Sequence, residues 1–385
     1  MELVKLIFRN VFRHRLRSIL TLVGIAIAMC SFGILRTLVD AWYVGVESSA
    51  ADRLIVRNKI SLIYSLPLAY RTKILQVRGV TGTGYGSWYG GIYVDKKNFF
   101  AQLAISGSDY LGMYPEFMLS TEEKLQFDVQ RNAAIAGRKL AERFKWKVGD
   151  VIPLQGTIYP GTVELVLCAI YRGARSNVDE TIFFFRYDYL NEVAKRVFPQ
   201  RADRVGWYLV QIDDPNRSAE VSRDIDALFE SSLAETLTET EKAFQMGFVA
   251  MTEAILGAIR VISIVVIAII LLVLANTMAM TARERSAEYA VLKTIGFGPR
   301  FIAILVAGES VTIAALGGLA GALLLFPAGK IFQSQLQAFL PVFDVTSATL
   351  ILILATSLAV GIAAAIPPVV RVGRTAIAEG LGHIG

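Results

Sequence analysis

Four long apolar runs dominate the hydropathy pattern of this chain. One stands alone near the N-terminus, at about residues 18–40, and three close the chain, at about 257–281, 300–326 and 345–367. Each run has roughly the 20 residues that a helix needs to cross a bilayer. The pattern therefore predicts an integral α-helical membrane protein with one transmembrane helix followed, after a long interval, by three more.

The interval between the first and second runs, residues 41–256, alternates short strand-like and helix-like stretches. Ala133–Ala136 has the pattern of a buried strand and precedes a helical pattern near Arg138–Phe144, while Tyr187–Val197 has the pattern of another helix. This alternation predicts a large inserted α+β domain of one or two lobes. Helical patterns also flank the interval, so both of its connections to the spans are predicted to be helical stalks.

Basic residues gather beside the apolar runs rather than on one polar surface. The net charge of +6 at pH 7 could indicate nucleic-acid binding, but this placement argues against it. By the positive-inside rule, such clusters mark the cytoplasmic ends of spans. The clusters are Lys5, Arg9, Arg13, Arg15 and Arg17 before the first run, Arg283, Arg285, Lys293 and Arg300 after the second, and Arg371 and Arg374 after the fourth.

With four spans, all three basic clusters fall on one side of the membrane. We therefore predict a multi-pass protein of a bacterial inner membrane, with a cytoplasmic N-terminal segment over 1–17 and a cytoplasmic tail over 368–385. Residues 282–299 become a cytoplasmic connector. The inserted domain, 41–256, and a short loop over 327–344 are then extracytoplasmic.

None of the common catalytic or nucleotide-binding motifs occurs in the sequence. It has no phosphate loop, no nucleophile elbow and no zinc-protease motif. Cys30, Cys168, His14 and His383 are too scattered for a zinc site, and the inserted domain holds one cysteine, which excludes an internal disulfide. We therefore expect a chain that is not an enzyme and that binds no metal or cofactor itself.

Few polar residues interrupt the predicted spans. Glu309 has two interpretations: a carboxylate paired near the cytoplasmic side, or a buried switch between helices. Asn276 is predicted to hydrogen-bond between helices. Gly317, Gly318 and Gly321 are predicted to let helices approach closely.

The connector, TARERSAEYAVLKTIGFGPR over residues 281–300, has the pattern of a short amphipathic helix. Gly296 is a natural helix stop. A helix that lies in the lipid headgroups and a helix that docks a cytoplasmic partner both fit. The mixed charge favours the partner, because a lipid-binding face would be mainly basic. Its apolar face is formed by Ala287, Ala290, Val291, Leu292 and Ile295.

Several stretches resemble the MacB/FtsX-type permeases of ABC transporters, a group that includes lipoprotein-releasing and heterocyst glycolipid exporter permeases. The connector resembles the coupling helix of that family. Val148-Gly149-Asp150 and Ile225–Phe229 resemble parts of its MacB-like periplasmic core domain. The third apolar run resembles its third span through Glu309-Ser310 and Gly317-Gly318 followed by Gly321.

The resemblance implies that two permease chains pair, as a homodimer or with a related chain. It also implies that separate cytoplasmic ATPase chains, which use ATP and Mg²⁺, dock on the coupling helices. Closure of the ATPases would be transmitted through the spans to the outer domain, a mechanism called mechanotransmission. The coupling residues so implied are Arg283, Glu284, Arg285, Glu288, Leu292, Lys293 and Gly296.

Three functional hypotheses follow from the sequence and the resemblance. The first is the membrane subunit of an ATP-driven exporter or extractor of a lipid, lipoprotein, peptide or small amphiphile. The second is an FtsX-like regulator of a cell-wall hydrolase that moves no substrate. The third is a receptor or adhesin with a four-helix anchor. Membrane lipids are expected partners, whereas a periplasmic adaptor and an outer-membrane channel stay open questions.

Overall fold

The computed structural model describes residues 2–175, 177–336 and 343–374. The chain divides into a helical unit and a sheet unit. The helical unit contains the residues up to Ala41, Glu253–Gln335 and the residues from Phe343 onward, and the sheet unit contains Trp42–Thr252. The fold class predicted from the sequence, membrane helices with an inserted α+β domain, is confirmed.

The α-helices occupy both units. They are α1 (Glu2–Val11), α2 (Arg15–Ser48), α3 (Tyr70–Ile74), α4 (Ser108–Gly112), α5 (Thr121–Val129), α6 (Arg138–Phe144), α7 (Tyr187–Val197), α8 (Ser218–Leu228), α9 (Glu241–Met251), α10 (Glu253–Glu284), α11 (Ser286–Thr294), α12 (Pro299–Leu336) and α13 (Ser347–Arg374).

The strands all lie in the sheet unit. They are β1 (Arg53–Asn58), β2 (Leu66–Pro67), β3 (Val80–Trp88), β4 (Gly91–Ile92), β5 (Gln102–Ile105), β6 (Phe117–Met118), β7 (Ala133–Gly137), β8 (Val151–Gly156), β9 (Gly161–Gly173), β10 (Phe183–Arg186), β11 (Arg204–Val205), β12 (Trp207–Ile212) and β13 (Thr236–Thr240).

Four helices among the described residues are long and apolar enough to cross a membrane. They include Arg15–Val44 of α2, all of α10 from Glu253 to Glu284, Pro299–Phe332 of α12 and Ser347–Val372 of α13. The sequence pattern missed α1, a ten-residue amphipathic helix within the N-terminal basic segment. Its few apolar residues form too short a run to stand out beside the spans.

The third membrane helix extends beyond the boundary predicted at Phe326. Pro327 lies inside α12, which continues to Leu336. A proline costs one backbone hydrogen bond, and membrane helices tolerate it where neighbouring helices re-satisfy the backbone. The rings of Phe332 and Phe343 pack 5.4 Å apart, centroid to centroid, beside this extension. The first residues of the loop predicted over 327–344, up to Leu336, are therefore helical, and its residues 337–342 lie outside the described part of the chain.

The last helix also continues past its predicted end. The fourth span was predicted to end at Pro367, but α13 runs through Pro367 and Pro368 to Arg374. The rest of the predicted cytoplasmic tail, residues 375–385, lies outside the described residues.

One path of paired strands runs through the sheet unit. The order is β13-β1-β12-β3-β5-β10-β7-β9-β8-β4, with β6 paired to β9, and β2 and β11 form a separate pair. The pairs β5–β10 and β7–β9 are parallel, and the others are antiparallel. The sheet is therefore mixed, as expected for an α+β domain.

Both faces of this sheet are covered by apolar cores. In β10, Phe183 and Phe185 point into one core, whereas Phe184 between them points into the other. In β1, Leu54 packs in the first of these cores and Ile55 packs in the second. Successive side chains of a strand point to opposite faces, so a nearly continuous apolar run indicates a strand buried on both sides.

A buried ionic cluster joins the residues by which the chain enters and leaves the sheet unit. Arg53, at the start of β1, is 3% exposed and lies 2.7 Å from carboxylate oxygens of both Glu116 and Glu241. Glu241 begins α9 and also accepts a hydrogen bond from the backbone N–H of Ala50. Burial opposes the charge of Arg53, but the two carboxylates outweigh it and raise the pKa of the guanidinium. The cluster therefore ties the start of β1 to the start of α9, at the same end of the neighbouring strands β1 and β13.

Candidate functional site

The connector between the second and third membrane helices is helical, as α11. It begins after Arg285 and ends at Thr294, and Gly296 beyond it has a φ of 100°, which favours glycine. The sequence predicted one apolar face for this helix, but its apolar residues are partly buried and partly exposed. Tyr289 and Ala290 are buried in the helical unit, whereas Val291 is exposed.

Arg285 lies at the centre of this region and points inward. It is 7% exposed, and its Nη1 donates to Oε1 of Glu309 in α12 at 2.7 Å. Its Nε donates to Oε2 of Glu288, one turn ahead, at 3.1 Å, and its Cζ lies 5.4 Å from the centroid of the Tyr289 ring. Burial opposes the charge of Arg285, but Glu309 and the other partners outweigh it and raise the pKa of the guanidinium. Arg285 was predicted as a coupling residue, and its buried guanidinium places it inside the helical unit rather than on the exposed surface of the connector.

The N-terminal residues complete the same ionic network. Asn10 of α1 donates from Nδ2 to Oε1 of Glu309 at 2.8 Å. Arg13 pairs with Glu288 at 2.6 Å, and Arg17 at the start of α2 pairs with Glu284 at the end of α10, also at 2.6 Å. The network therefore connects α1, α2, α10, α11 and α12 at one end of the helical unit.

Apolar contacts hold α1 in this position. Ile7 and Val11 are buried in the core of the helical unit. A Cβ at Gly308 of α12 would lie 2.6 Å from Cδ1 of Ile7, so the glycine lets the two segments approach closely. Asn10, Arg13 and the helix itself were missed as site residues, because the sequence showed only their charge. The signal that could have found them is the strong helical amphipathicity of Glu2–Val11.

The remaining residues predicted for coupling lie at or near this network. Arg283 and Gly296 are exposed, and Leu292 is partly buried against the core of the helical unit. Lys293 donates from Nζ to the carbonyl oxygen of Val372 in α13 at 2.9 Å. Glu284 belongs to the network through Arg17. The predicted coupling residues therefore lie around the connector, but they differ in exposure. Arg285 is buried, whereas Arg283 and Gly296 are exposed.

The predicted packing glycines contact two different helices. An added Cβ at Gly317 would lie 2.6 Å from Cγ2 of Ile25, and one at Gly321 would lie 2.8 Å from the backbone oxygen of Ala26, both in α2. An added Cβ at Gly318 would lie 2.3 Å from Oγ of Ser357 in α13. The glycines therefore bring α12 close to α2 on one side and to α13 on the other, within a single chain.

Asn276 lies apart from both groups. It is exposed on α10, and its side chain forms no hydrogen bond within the described part of the chain. Among the residues that the structure describes, the interhelical hydrogen bond predicted for Asn276 is therefore not formed.

The outer surface of the connector is apolar at its C-terminal end. Ile295 is 69% exposed, and Val291 and Phe297 are also exposed. The ring of Phe297 stacks on that of Phe301 at 4.6 Å, so the loop after α11 has a defined apolar surface. We call Val291, Ile295 and Phe297 the connector patch. Exposed apolar patches are found where a protein contacts another protein or a membrane.

The Glu288 carboxylate gives the network a pH dependence. Burial raises its pKa, but hydrogen bonds from Arg285 and Arg13 outweigh that effect, so the pKa of Glu288 lies below its ordinary value of 4.5. Because the folded pKa is the lower one, the stabilisation is complete above pH 4.5 and is lost as the pH falls through the folded pKa. We expect the gap in thermal midpoint between the wild type and Glu288→Gln to close below pH 4.5. A gap that stays constant down to acid unfolding would contradict this role.

Comparisons with known proteins agree with the layout of the helical unit. Residues 260–377 match the family described as FtsX-like permease C-terminal. An uncharacterised ABC transporter permease of Methanocaldococcus jannaschii is 24% identical over 346 residues, which cover 84% of this chain and 82% of that protein. The chain thus contains an FtsX-like permease region at residues 260–377 and is a homologue of ABC transporter permeases. Permeases of ABC transporters are typically not enzymes and work with a partner ATPase.

Solved structures similar to this chain include the outer domains of transporters. The periplasmic region of MacB from Actinobacillus actinomycetemcomitans is 10% identical with a TM-score of 0.39, and the match covers 53% of this chain and 95% of that one. The extracellular domain of the noncanonical ABC-type transporter YknZ from Gram-positive bacteria is 11% identical with a TM-score of 0.35, covering 49% and 100%. At these scores the matches assign no function to the sheet unit.

Proposed function

We propose that the chain is the membrane subunit of an ATP-driven exporter or extractor. A separate cytoplasmic ATPase docks on the connector patch, and two permease chains form the complete membrane part. The substrate is a lipid, lipoprotein, peptide or small amphiphile handled at the outer side of the membrane. The observation that carries the proposal is the exposed apolar connector patch beside a buried ionic network in an FtsX-like permease region.

In this proposal, the network turns movement of the connector into movement of the membrane helices. Arg285 fixes α11 to α12 through Glu309, and Asn10 fixes α1 to the same carboxylate. A push on the connector then moves these helices together, since a buried ion pair resists separation. Sidedness follows the basic clusters: the termini and residues 282–299 face the cytoplasm, and residues 41–256 face outward.

The helical connections support transmission to the sheet unit. α2 is one uninterrupted helix from Arg15 to Ser48, so it leaves the membrane segment without a flexible linker. Where the chain leaves the sheet unit, α9 ends at Met251 and α10 begins at Glu253, so a single residue separates the two helices. Rigid helices transmit displacement, whereas flexible linkers absorb it.

Docking on the connector patch is tested by Ile295→Glu. A charge in the centre of an apolar interface is expected to reduce the ATPase recovered per tagged chain by about tenfold, the effect of a typical interface hot spot. The measurement is affinity purification from native membranes in mild detergent, with quantitative mass spectrometry of the bound ABC ATPase.

The matched control is Val148→Glu, an equally apolar side chain that is 57% exposed in the sheet unit. This variant should recover as much ATPase as the wild type. Equal recovery with Ile295→Glu, in a protein of unchanged thermal midpoint, would refute docking at the connector patch.

A further inference from the structure

The exposed side of α1 carries two cations that no acidic group of the described chain neutralises. Lys5 and Arg9 are exposed and form no hydrogen bond or ion pair with any residue that the structure describes. Arg13, two residues beyond the end of α1, is by contrast paired with Glu288 at 2.6 Å. The cations on the helix itself are therefore open to an external anion.

These two cations share one side of α1, opposite the side that packs against the chain. Each residue turns an α-helix by roughly 100°, so Lys5 and Arg9, four residues apart, lie about 40° from each other. Both are two residues from Ile7, which places them about 160° around the helix from that buried side chain. Buried Val11 lies on the same side as Ile7. The helix thus packs with one side and presents its cations on the other.

Large apolar side chains are exposed beside these cations. Leu6 and Phe8 lie about 100° on either side of Ile7 and are 40% and 45% exposed. Phe12, in the turn after α1, is 42% exposed. Exposed leucine and phenylalanine next to a basic face are typical of helices that lie in the headgroup layer of a membrane.

The place of α1 in the chain puts it beside a bilayer. Only residues 12–14 separate it from α2, whose membrane-crossing segment begins at Arg15. Ser18 of α2 donates a hydrogen bond from its Oγ to the carbonyl oxygen of Val11, which ties the end of α1 to the first turn of that segment. A helix attached in this way stays within reach of the lipid headgroups.

Charge composition favours a lipid over a protein as the occupant of this surface. Residues 1–17 contain five lysines and arginines and one acidic residue, Glu2. The connector, in contrast, exposes Arg283 and Glu284 side by side. Mainly basic segments next to a membrane span attract anionic lipid, whereas mixed charge suits a protein partner.

We propose that α1 is an interfacial helix that binds anionic phospholipid. Lys5 and Arg9 contact the phosphate groups, and Leu6 and Phe8 reach the boundary of the acyl chains. Because Asn10 of the same helix donates to Glu309, lipid bound to α1 also helps to hold a member of the ionic network in place. The inference does not depend on ATPase docking, since it concerns the permease chain alone.

Native mass spectrometry of the full chain in detergent, titrated with anionic phosphatidylglycerol or with zwitterionic phosphatidylcholine, tests the headgroup site. Lys5→Gln/Arg9→Gln should weaken phosphatidylglycerol binding by roughly 30-fold, which corresponds to about 1 kcal/mol for each charge removed. Binding of phosphatidylcholine should not change. The matched control is Lys96→Gln/Lys97→Gln, which removes the same charge from an exposed part of the sheet unit and should bind both lipids like the wild type.

Three results would overturn the headgroup site. The first is wild-type affinity for phosphatidylglycerol in Lys5→Gln/Arg9→Gln at an unchanged thermal midpoint. The second is an equal loss of both lipids, because only the charged headgroup should sense the two cations. The third is displacement of bound phosphatidylglycerol by inorganic phosphate, which would indicate a site for free phosphate instead.

The position of α1 is tested by a bimane fluorophore on Phe8→Cys, in a chain whose buried Cys30 and Cys168 are replaced by alanine. In vesicles of phosphatidylglycerol and phosphatidylcholine, lipids with a doxyl group on the acyl chain should quench this fluorophore. The control is the same label on Ile60→Cys, which is 80% exposed beyond the end of β1 that lies away from Arg53 and should not be quenched. A label at Phe8 that doxyl lipids leave unquenched, or that becomes shielded only when an ATPase is added, would overturn the interfacial helix.

Discussion

Replacing Arg285 by methionine should lower the free energy of unfolding by about 3–5 kcal/mol, the usual cost of removing one partner from a buried ion pair. The loss arises because the Glu309 carboxyl group is only 3% exposed and would lose the guanidinium that lies 2.7 Å away. Asn10, the other hydrogen-bond partner of Glu309, carries no charge that could replace that of Arg285. The measurement is thermal or denaturant unfolding of the purified protein in a fixed detergent.

Arg283→Met is the control for this prediction. Arg283 lies two residues earlier and is exposed, so its loss should cost less than about 1 kcal/mol. The double variant Arg285→Met/Glu309→Leu should regain most of the loss, because it removes both buried charges together. Equal stability of Arg285→Met and Arg283→Met would show that the buried pair contributes nothing.

Leucine at Gly317 and Gly321 should destabilise the helical unit by about 1–3 kcal/mol at each position, as overpacking of a filled core does. The approach of α12 to α2 leaves no space, since added Cβ atoms would lie 2.6 Å from Ile25 and 2.8 Å from the backbone oxygen of Ala26. A backbone atom cannot move aside as a side chain can. The expected result is a lower thermal midpoint and a smaller monodisperse fraction in size-exclusion chromatography.

Gly24→Leu is the matched control, because Gly24 lies in α2 itself and an added Cβ there has no neighbour within 4 Å. It should behave like the wild type. If Gly317→Leu and Gly321→Leu also kept the wild-type midpoint, the close contact between α12 and α2 would be refuted.

The sequence predicted elements whose signal is local. Membrane helices are visible because an apolar run of bilayer length is a strong pattern. The strand Ala133–Gly137, the helix Arg138–Phe144 and the helix Tyr187–Val197 were predicted almost as they occur, since each changes pattern sharply at its ends. Gly296 was predicted to end the connector, and its positive φ agrees with that prediction.

The ionic network could not be predicted from the sequence, because its paired residues are far apart in the chain. Asn10 and Glu309 are 299 positions apart, and Arg13 and Glu288 are 275 apart. Charge alone did not show that Arg285 points inward while Arg283 points outward. Similarly, the glycine pattern predicted a close helix contact, but only the three-dimensional arrangement identifies α2 and α13 as the neighbours.

The central claim is that an ABC ATPase docks on the connector patch. The most direct measurement places a photoreactive benzoylphenylalanine at Ile295, irradiates living cells and identifies the cross-linked protein by mass spectrometry. The same amino acid at Val148 controls for random capture. Our account predicts an ATPase with a phosphate loop at Ile295 and none at Val148. Cross-links at Ile295 to lipid alone, or to proteins without a phosphate loop, would contradict the account.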